Sequence, residues 1–494
     1  MRAADATCHN LGVAATALHA EPVRVVLDRV ALEDLSRRLR ATRLAPDAGG
    51  TWACGTPGDW LTELVADWQA FDPLSLQARL DQLTHLRVEV DGIAVHLVHA
   101  PAAAAGSLPL LLTHGWPSSF LEYWKLLPLL TDPSANGGTA ADAFTVVAPS
   151  LPGFGFSGPP PGGGLIHERV AELWYQIMAD ALGYRRFVAH GSDLGAGVTA
   201  WLARAHPEAV AAIHLATPGL AAPPQPWSDT LSEHFREVEE WSADEGGYAH
   251  MHATKPATIG AALDDSPVAL AAWVGEKLTR WSSTAADGQP AIDRDHLLST
   301  LTLYWATRTA ASSLLPYWAY RHTPQSALPP DDPAPAPTAI DIFGGEIVPF
   351  PKPPRELAER YFNVVHWAEY EQGGHFPAVA EPQLLAARLR AAFKPYRDIA
   401  ANRRLPATAE CPVQLRGRGQ MPGADRGKNM SGKAASADPA ASLAVRGRSL
   451  GSAKCSDEPI ENASRILHHA DLEQPTQGSP VAPGSCTSAW GRGG

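Results

Sequence analysis

Asp193 stands in Val188-Ala189-His190-Gly191-Ser192-Asp193-Leu194-Gly195-Ala196-Gly197, between a short apolar run and a stretch of small, helix-compatible residues. A sharp strand-to-helix elbow needs small residues two before and two after its tip, because the turn is strained and tightly packed. Gly191 and Gly195 meet that spacing only around Asp193; centring on Ser192 would put His190 and Leu194 where small residues are required. The register selects the chemistry. A carboxylate nucleophile forms an ester with an alkyl carbon, whereas a serine attacks acyl carbons. Taken alone, the same residues also fit a glycine-rich turn with a surface aspartate, so the partners decide.

Such an aspartate needs oxyanion donors, a base for water with a carboxylate behind it, and help for the departing oxygen. The apolar run Leu108 to Thr113 leads into His114-Gly115-Trp116-Pro117, a loop placed to present the Trp116 N–H. With the Leu194 N–H, which follows the nucleophile, it would make a two-donor oxyanion hole, each donor worth about 10²–10³ in rate. Gln372-Gly373-Gly374-His375-Phe376-Pro377 follows the last expected strand, and its paired glycines let the backbone turn His375 toward the elbow. Imidazole suits the task because it titrates near neutrality. The orienting carboxylate is expected at Glu346, in Phe343-Gly344-Gly345-Glu346, with Asp341 inside the preceding strand as the alternative.

These residues must be carried by a sheet. Helical spacing of apolar residues is expected over Val30 to Leu44, Asp59 to Ala70 and Pro73 to Leu83. Leu86 to Val90 and Ile93 to Val98 alternate around Asp91-Gly92, a strong hairpin signal. Strands then alternate with helices: Leu108 to Thr113, Phe144 to Pro149, a helix Glu168 to Leu182, Arg186 to His190, a helix to Ala205, and Val210 to Ala216. That rhythm predicts an α/β fold, a mostly parallel sheet with helices on both faces. Between Pro218 and Gln325 it breaks into strandless helical segments rich in Trp, Tyr and Ala, read as a lid over the strand ends. After a Pro/Ala/Asp linker, Leu328 to Pro337, a strand is expected over Thr338 to Phe343 and a helix over Pro354 to Tyr361. A strand Val364 to Tyr370 and a helix Glu381 to Phe393 follow.

The expected organisation is a flexible 1–20, an N-terminal helical and hairpin extension 21–105, a first core half 106–218, a lid 219–330, a second core half 331–397 and a tail 398–494. Residues 401–494 hold twelve Lys/Arg against eight Asp/Glu with little apolar periodicity, so disorder is expected there. The whole chain carries a formal charge of −12, which argues against nucleic acid and anionic membranes as partners. Five scattered cysteines have no Cys-x-x-Cys or Cys/His spacing, so neither zinc nor a disulfide framework is expected. No apolar run is long enough for a membrane span and no signal peptide is recognised, so a cytoplasmic location is expected.

Several longer segments, in one order, resemble the α/β-hydrolase-fold epoxide hydrolases of the microsomal-type branch. They are Trp60 to Asp72, the Asp91-Gly92 hairpin, THGWPSSFLEYWKLLPLL from Thr113, PSLPGFGFSG from Pro149 and HGSDLG from His190. GYAHMHATKPATIGAALDDSPVALAAWVGEKL from Gly247, LYWATRTAASSLLPYW from Leu303 and GGHFPAVAEP from Gly373 complete the set, covering about residues 21–397. The resemblance implies an α/β-hydrolase fold with a helical lid, and conversion of an apolar epoxide and water to a vicinal diol without cofactor or metal. It also implies two lid tyrosines that polarise the epoxide oxygen: Tyr248 in GYAHMH and Tyr317 after Ser312-Ser313, with Tyr320 as fallback for the second. The chain departs from the family pattern in having Leu194 where Trp is usual and Pro377 where Ala is frequent. About three extra residues separate Glu346 from Pro353-Pro354-Arg355, and the N-terminal hydrophobic helix of the family's membrane-anchored members is not expected here. The alternative is a haloalkane dehalogenase-type hydrolase with the same Asp/His machinery, which would need halide-binding Asn or Trp donors in place of the tyrosines. A non-catalytic binding protein on the same scaffold is the reading from another class. A homodimer is the candidate assembly.

Overall fold

The computed structural model describes residues 18–45, 50–104, 106–323 and 326–402. Residues 403–494 of the tail and most of the N-terminal segment expected to be flexible lie outside the described residues; 398–402, also assigned to the tail, continue a 3-10 helix, Lys394–Asn402. Nine strands form one sheet: β1 Ala20–Pro22, β2 His85–Val90, β3 Ile93–Ala100, β4 Leu108–Thr113, β5 Phe144–Pro149, β6 Phe187–Ser192, β7 Val210–Ala216, β8 Ala334–Gly344 and β9 Phe362–Gly373. Their order is β1-β2-β3-β5-β4-β6-β7-β8-β9. From β5 to β9 all neighbours are parallel, and β1, β2 and β3 extend the sheet antiparallel.

The hairpin between β2 and β3 closes at Asp91 and Gly92, both with positive φ (49° and 75°), the two-residue turn whose twist matches its strands. Every residue of β4, β5, β6 and β7 is buried, as expected of parallel strands covered on both faces. Alternate side chains serve two cores: Leu111 and Val147 pack in one, Leu110, Leu112, Val146 and Ala148 in the other.

Some expected boundaries move. β1 has no apolar alternation to announce it and forms by pairing with β2. β8 begins inside the expected linker at Ala334. Pro335 and Pro337 are tolerated because pairing with β7 starts only at Thr338 and the β9 ladder is irregular there. The helix expected over Pro354 to Tyr361 is limited to Arg355–Ala358.

Between β7 and β8 the chain runs through six α-helices, among them Gly247–Thr254, Pro267–Arg280, Arg294–Thr307 and Leu315–His322. The N-terminal helices brace this insertion as well as the sheet. Trp68 Nε1 donates to Thr302 Oγ1 at 2.9 Å, Trp305 Nε1 donates to the Ala31 carbonyl at 3.1 Å, and Arg38 pairs with Asp265 at 2.9 Å. The strand ends β4, β6, β8 and β9 therefore face a helical layer that is itself held from behind.

Candidate active site

Asp193 follows β6 and precedes the helix Leu194–Ala205, with φ 50° and ψ −129°, a strained conformation for a residue with a side chain. The neighbours enforce it. A Cβ on Gly191 would lie 2.1 Å from the Gly195 carbonyl oxygen, and one on Gly195 would lie 1.9 Å from that of Thr113. Only glycine lets the turn close that far. The small-residue register read from the sequence is thus a steric requirement of this turn.

The Asp193 carboxylate is held at both oxygens. The Trp116 N–H donates to Oδ1 at 2.8 Å, and His375 Nε2 lies 3.1 Å from Oδ2. Gly115 makes the first contact achievable, since a Cβ there would overlap Oδ1 at 2.2 Å. The loop that carries Trp116 is pinned by His114, whose Nδ1 donates to the Gly115 carbonyl at 3.0 Å while Nε2 accepts from the Leu151 N–H at 3.1 Å. Burial pushes the His114 imidazole down to about 4, so it holds these roles as a neutral ring. The Leu194 N–H, the second expected donor, does not bond to the carboxylate in this structure.

His375 hangs on a loop whose glycines are used as expected: Gly373 and Gly374 have φ 107° and 60°. Its N–H donates to the Trp281 carbonyl at 3.0 Å, Phe350 stacks on the imidazole at 4.9 Å, and Trp281 meets it edge-on at 5.2 Å. Glu346 is brought to the same place by its backbone, which bridges Ser283 two residues beyond Trp281. The Glu346 side chain is buried and ion-paired with Lys352, and it makes no hydrogen bond to His375 here. Burial lowers the Lys352 ammonium below its ordinary range, with the Glu346 charge opposing that shift. Asp341, the alternative, is engaged elsewhere: Oδ2 accepts from His214 Nε2 at 2.9 Å and from Arg388 Nε at 3.2 Å.

Across from Asp193 the insertion supplies both expected tyrosines. Tyr248 lies on Gly247–Thr254 and Tyr317 on Leu315–His322, their rings 6.1 Å apart at 79°. Tyr248 stacks on Trp116 at 5.4 Å and 8°, while Tyr317 meets the same indole edge-on at 6.0 Å. Both phenols are raised above their ordinary range, mainly by burial; the Asp193 charge adds to the shift in both, and Tyr248 to that of Tyr317. Both therefore stay protonated as donors at neutral pH. Tyr320 is not part of this group: its hydroxyl accepts from the His167 N–H at 2.9 Å.

Two features escaped the sequence reading. Glu122, three residues past Ser119, is fully enclosed and raised to about 7, chiefly by burial, and no spacing rule marks it. Lys352 has no motif of its own and is found only through Glu346. Among the described residues no group of His, Cys, Asp or Glu could hold a metal ion, and no helix is long and apolar enough to cross a membrane.

Comparison with known proteins gives the family. The family described as epoxide hydrolase N terminus matches residues 20–123, and that of the alpha/beta hydrolase fold matches 109–243. A Stigmatella aurantiaca protein whose name carries epoxide hydrolase is 39% identical over 381 residues, covering 76% of this chain and 85% of that protein. Epoxide hydrolase 1 of Oryctolagus cuniculus is 30% identical over 401 residues, covering 74% and 86%. The solved Aspergillus niger epoxide hydrolase superposes with a TM-score of 0.66 at 28% identity, covering 76% of this chain and 96% of that one. Juvenile hormone epoxide hydrolase from Bombyx mori gives 0.65 at 26%, covering 77% and 94%. An aspartate-tipped elbow, a facing histidine and paired phenols on this sheet therefore accompany a plain assignment: the chain belongs to the epoxide hydrolases of the α/β-hydrolase fold.

Proposed function

We propose that the protein opens an apolar epoxide through an ester on Asp193 and releases a vicinal diol. The observation that carries this reading is the split of the Asp193 carboxylate, Oδ1 on the Trp116 N–H and Oδ2 beside His375 Nε2. Oδ2 attacks one epoxide carbon and the carbon–oxygen bond breaks, while Tyr248 and Tyr317 donate hydrogen bonds to the ring oxygen and one supplies its proton. The ester leaves Oδ1 as the acyl oxygen, already in its donor site. Water then gives a proton to His375 Nε2 and adds to the Asp193 acyl carbon. The negative charge develops on Oδ1, where the Trp116 N–H meets it and the Leu194 N–H becomes the second donor. Collapse of the adduct breaks the ester bond, and the diol oxygen regains a proton.

Glu346 is the carboxylate we assign to orienting His375. Both residues are anchored on the Trp281–Ser283 segment, and Asp341 is committed to His214 and Arg388. The insertion acts as the lid and excludes water from the opening step. An apolar substrate follows from the aromatic rings at the site, Trp281 and Phe350 against His375 and Tyr248 stacked on Trp116.

A single turnover in heavy-oxygen water tests the route. The diol should carry an unlabelled new oxygen and the label should appear in Asp193; label entering the diol first would replace the ester with direct attack by water.

A further inference from the structure

Lys277 is a buried cation that the mechanism above leaves unused. It lies on Pro267–Arg280, is 7% exposed, and pairs with its neighbour Glu276 at 3.0 Å. Burying an ammonium is costly, so its surroundings matter. Nζ sits over the Tyr248 ring, 5.3 Å from its centroid, and over the Trp281 ring at 5.8 Å. Trp116 stacks on the Tyr248 ring. Tyr317 has no cation over its ring among the described residues; its neighbours are Trp116, Tyr248 and His252.

The two tyrosines are thus electrostatically unequal. A cation over an aromatic face is attracted by the π electrons, and more strongly when the phenol surrenders its proton and the ring becomes richer in charge. Lys277 accordingly favours the state in which the Tyr248 hydroxyl has moved its proton toward the ring oxygen.

The remaining groups facing the pair do not cancel this. His252 Nε2 accepts from Trp273 Nε1 at 3.0 Å; burial, reinforced by the Lys277 charge, pushes its imidazole down to about 3, so it is neutral. Asp193 opposes proton release from both tyrosines, but its charge is lost once the ester forms. Glu276, the neighbour in sequence, pairs with Lys277 at 3.0 Å and attenuates its charge without removing it.

Resting on the Asp193 ester reading, we propose that Tyr248 is the member of the pair that protonates the opening oxygen and that Lys277 is the positioning residue that makes it so. In atoms, the Tyr248 O–H bond breaks, the proton goes to the former ring oxygen, and the phenolate beneath Lys277 regains a proton from solvent before the next cycle. Tyr317 donates a hydrogen bond throughout and keeps its proton.

Rapid acid quench with intact-protein mass spectrometry separates formation of the ester from its hydrolysis, using styrene oxide as the probe. Lys277→Met should slow ester formation about tenfold, while hydrolysis of the ester changes less than about twofold. Lys277→Arg, which keeps the charge, should recover most of the loss. In a Tyr248→Phe background, Lys277→Met should add less than about twofold, because the group it acts through is gone. An unchanged rate of ester formation in Lys277→Met, an equal loss in both steps, or the same factor in the Tyr248→Phe background overturns the proposal. If the unsubstituted protein forms no ester on Asp193, the underlying reading falls and takes the lysine with it; an ester formed at a rate indifferent to Lys277 overturns the lysine alone.

Discussion

His214 Nε2 lies 2.9 Å from Asp341 Oδ2 with both side chains fully buried, and this contact separates the two carboxylates that compete for His375. Arg388 Nε reaches the same Asp341 oxygen at 3.2 Å, and His190, three residues before the nucleophile, reaches His214 at 3.0 Å between Nδ1 atoms. The network ties β6, β7 and β8 together beneath the elbow. On the proposed assignment Asp341 is a structural acid, and Glu346 stands behind His375.

Asp341→Asn should cost stability more than catalysis. Removing the charge leaves Arg388 and His214 without their buried partner, a loss of roughly 2–4 kcal/mol. The Asp341 carboxyl is held below its ordinary range: burial alone would raise it, but His214 and Arg388 outweigh that. A carboxyl depressed in the folded state stabilises the fold above its unfolded value of about 3.9, and the benefit disappears as pH falls through the lower folded value. Denaturant titrations should show Asp341→Asn less stable at neutral pH, with the difference shrinking below about pH 4. A large loss of kcat with stability unchanged would transfer the orienting role back to Asp341.

Glu346→Gln should give the opposite pattern. Ester hydrolysis is expected to slow by roughly 10²–10⁴, as when the carboxylate behind a catalytic histidine is removed. Ester formation should be affected much less, so the covalent intermediate accumulates and is visible by mass spectrometry. His375→Gln should trap the same ester, whereas Asp193→Asn should form none. Equal slowing of both steps by Glu346→Gln would leave its pairing with Lys352 as its sole role.

Tyr248→Phe and Tyr317→Phe should each slow ester formation, by about 10² if each hydroxyl is one preorganised donor to the developing charge. Tyr320→Phe supplies the contrast. Its hydroxyl serves the His167 N–H, so its loss should lower stability by about 1 kcal/mol and leave ester formation within a few-fold. Stopped-flow measurements on the three variants distinguish them; a Tyr320→Phe defect as deep as that of Tyr317→Phe would reverse the assignment.

The elbow and the histidine loop were legible because their constraints are local. Gly191, Gly195, Gly373 and Gly374 mark backbone that a side chain would block or strain, and such marks survive in one dimension. The parallel core was legible through strands buried on both faces. The tyrosines were reached only through resemblance, since their helices are set against Trp116 by tertiary packing that no spacing encodes. Lys277 and Lys352 were invisible for a related reason: a buried lysine looks like any surface lysine until its partners are in place. The choice between Glu346 and Asp341 likewise depends on where His214 and Arg388 arrive, two elements away in sequence.

Leu194 is the departure from the family pattern with the most direct consequence for selectivity. Its side chain lines a small, mostly aliphatic cavity with Leu151, Leu165, Val170, Val198 and Pro316. The Leu194 N–H is available whatever the side chain, so Leu194→Trp should leave the oxyanion site intact. The added indole must fit where the cavity now is; overpacking would cost about 1–3 kcal/mol of stability if the walls do not yield. For a small epoxide such as propylene oxide, kcat/KM should remain within a few-fold. For an epoxide with a bulky substituent it should fall about tenfold or more, since lost or blocked apolar contacts of this size carry about 1–3 kcal/mol. Steady-state kinetics across substrates graded in size measure the difference directly. A uniform loss for every epoxide would mean that Leu194 shapes the elbow itself, and an unchanged preference would place the substrate away from the Leu194 side chain.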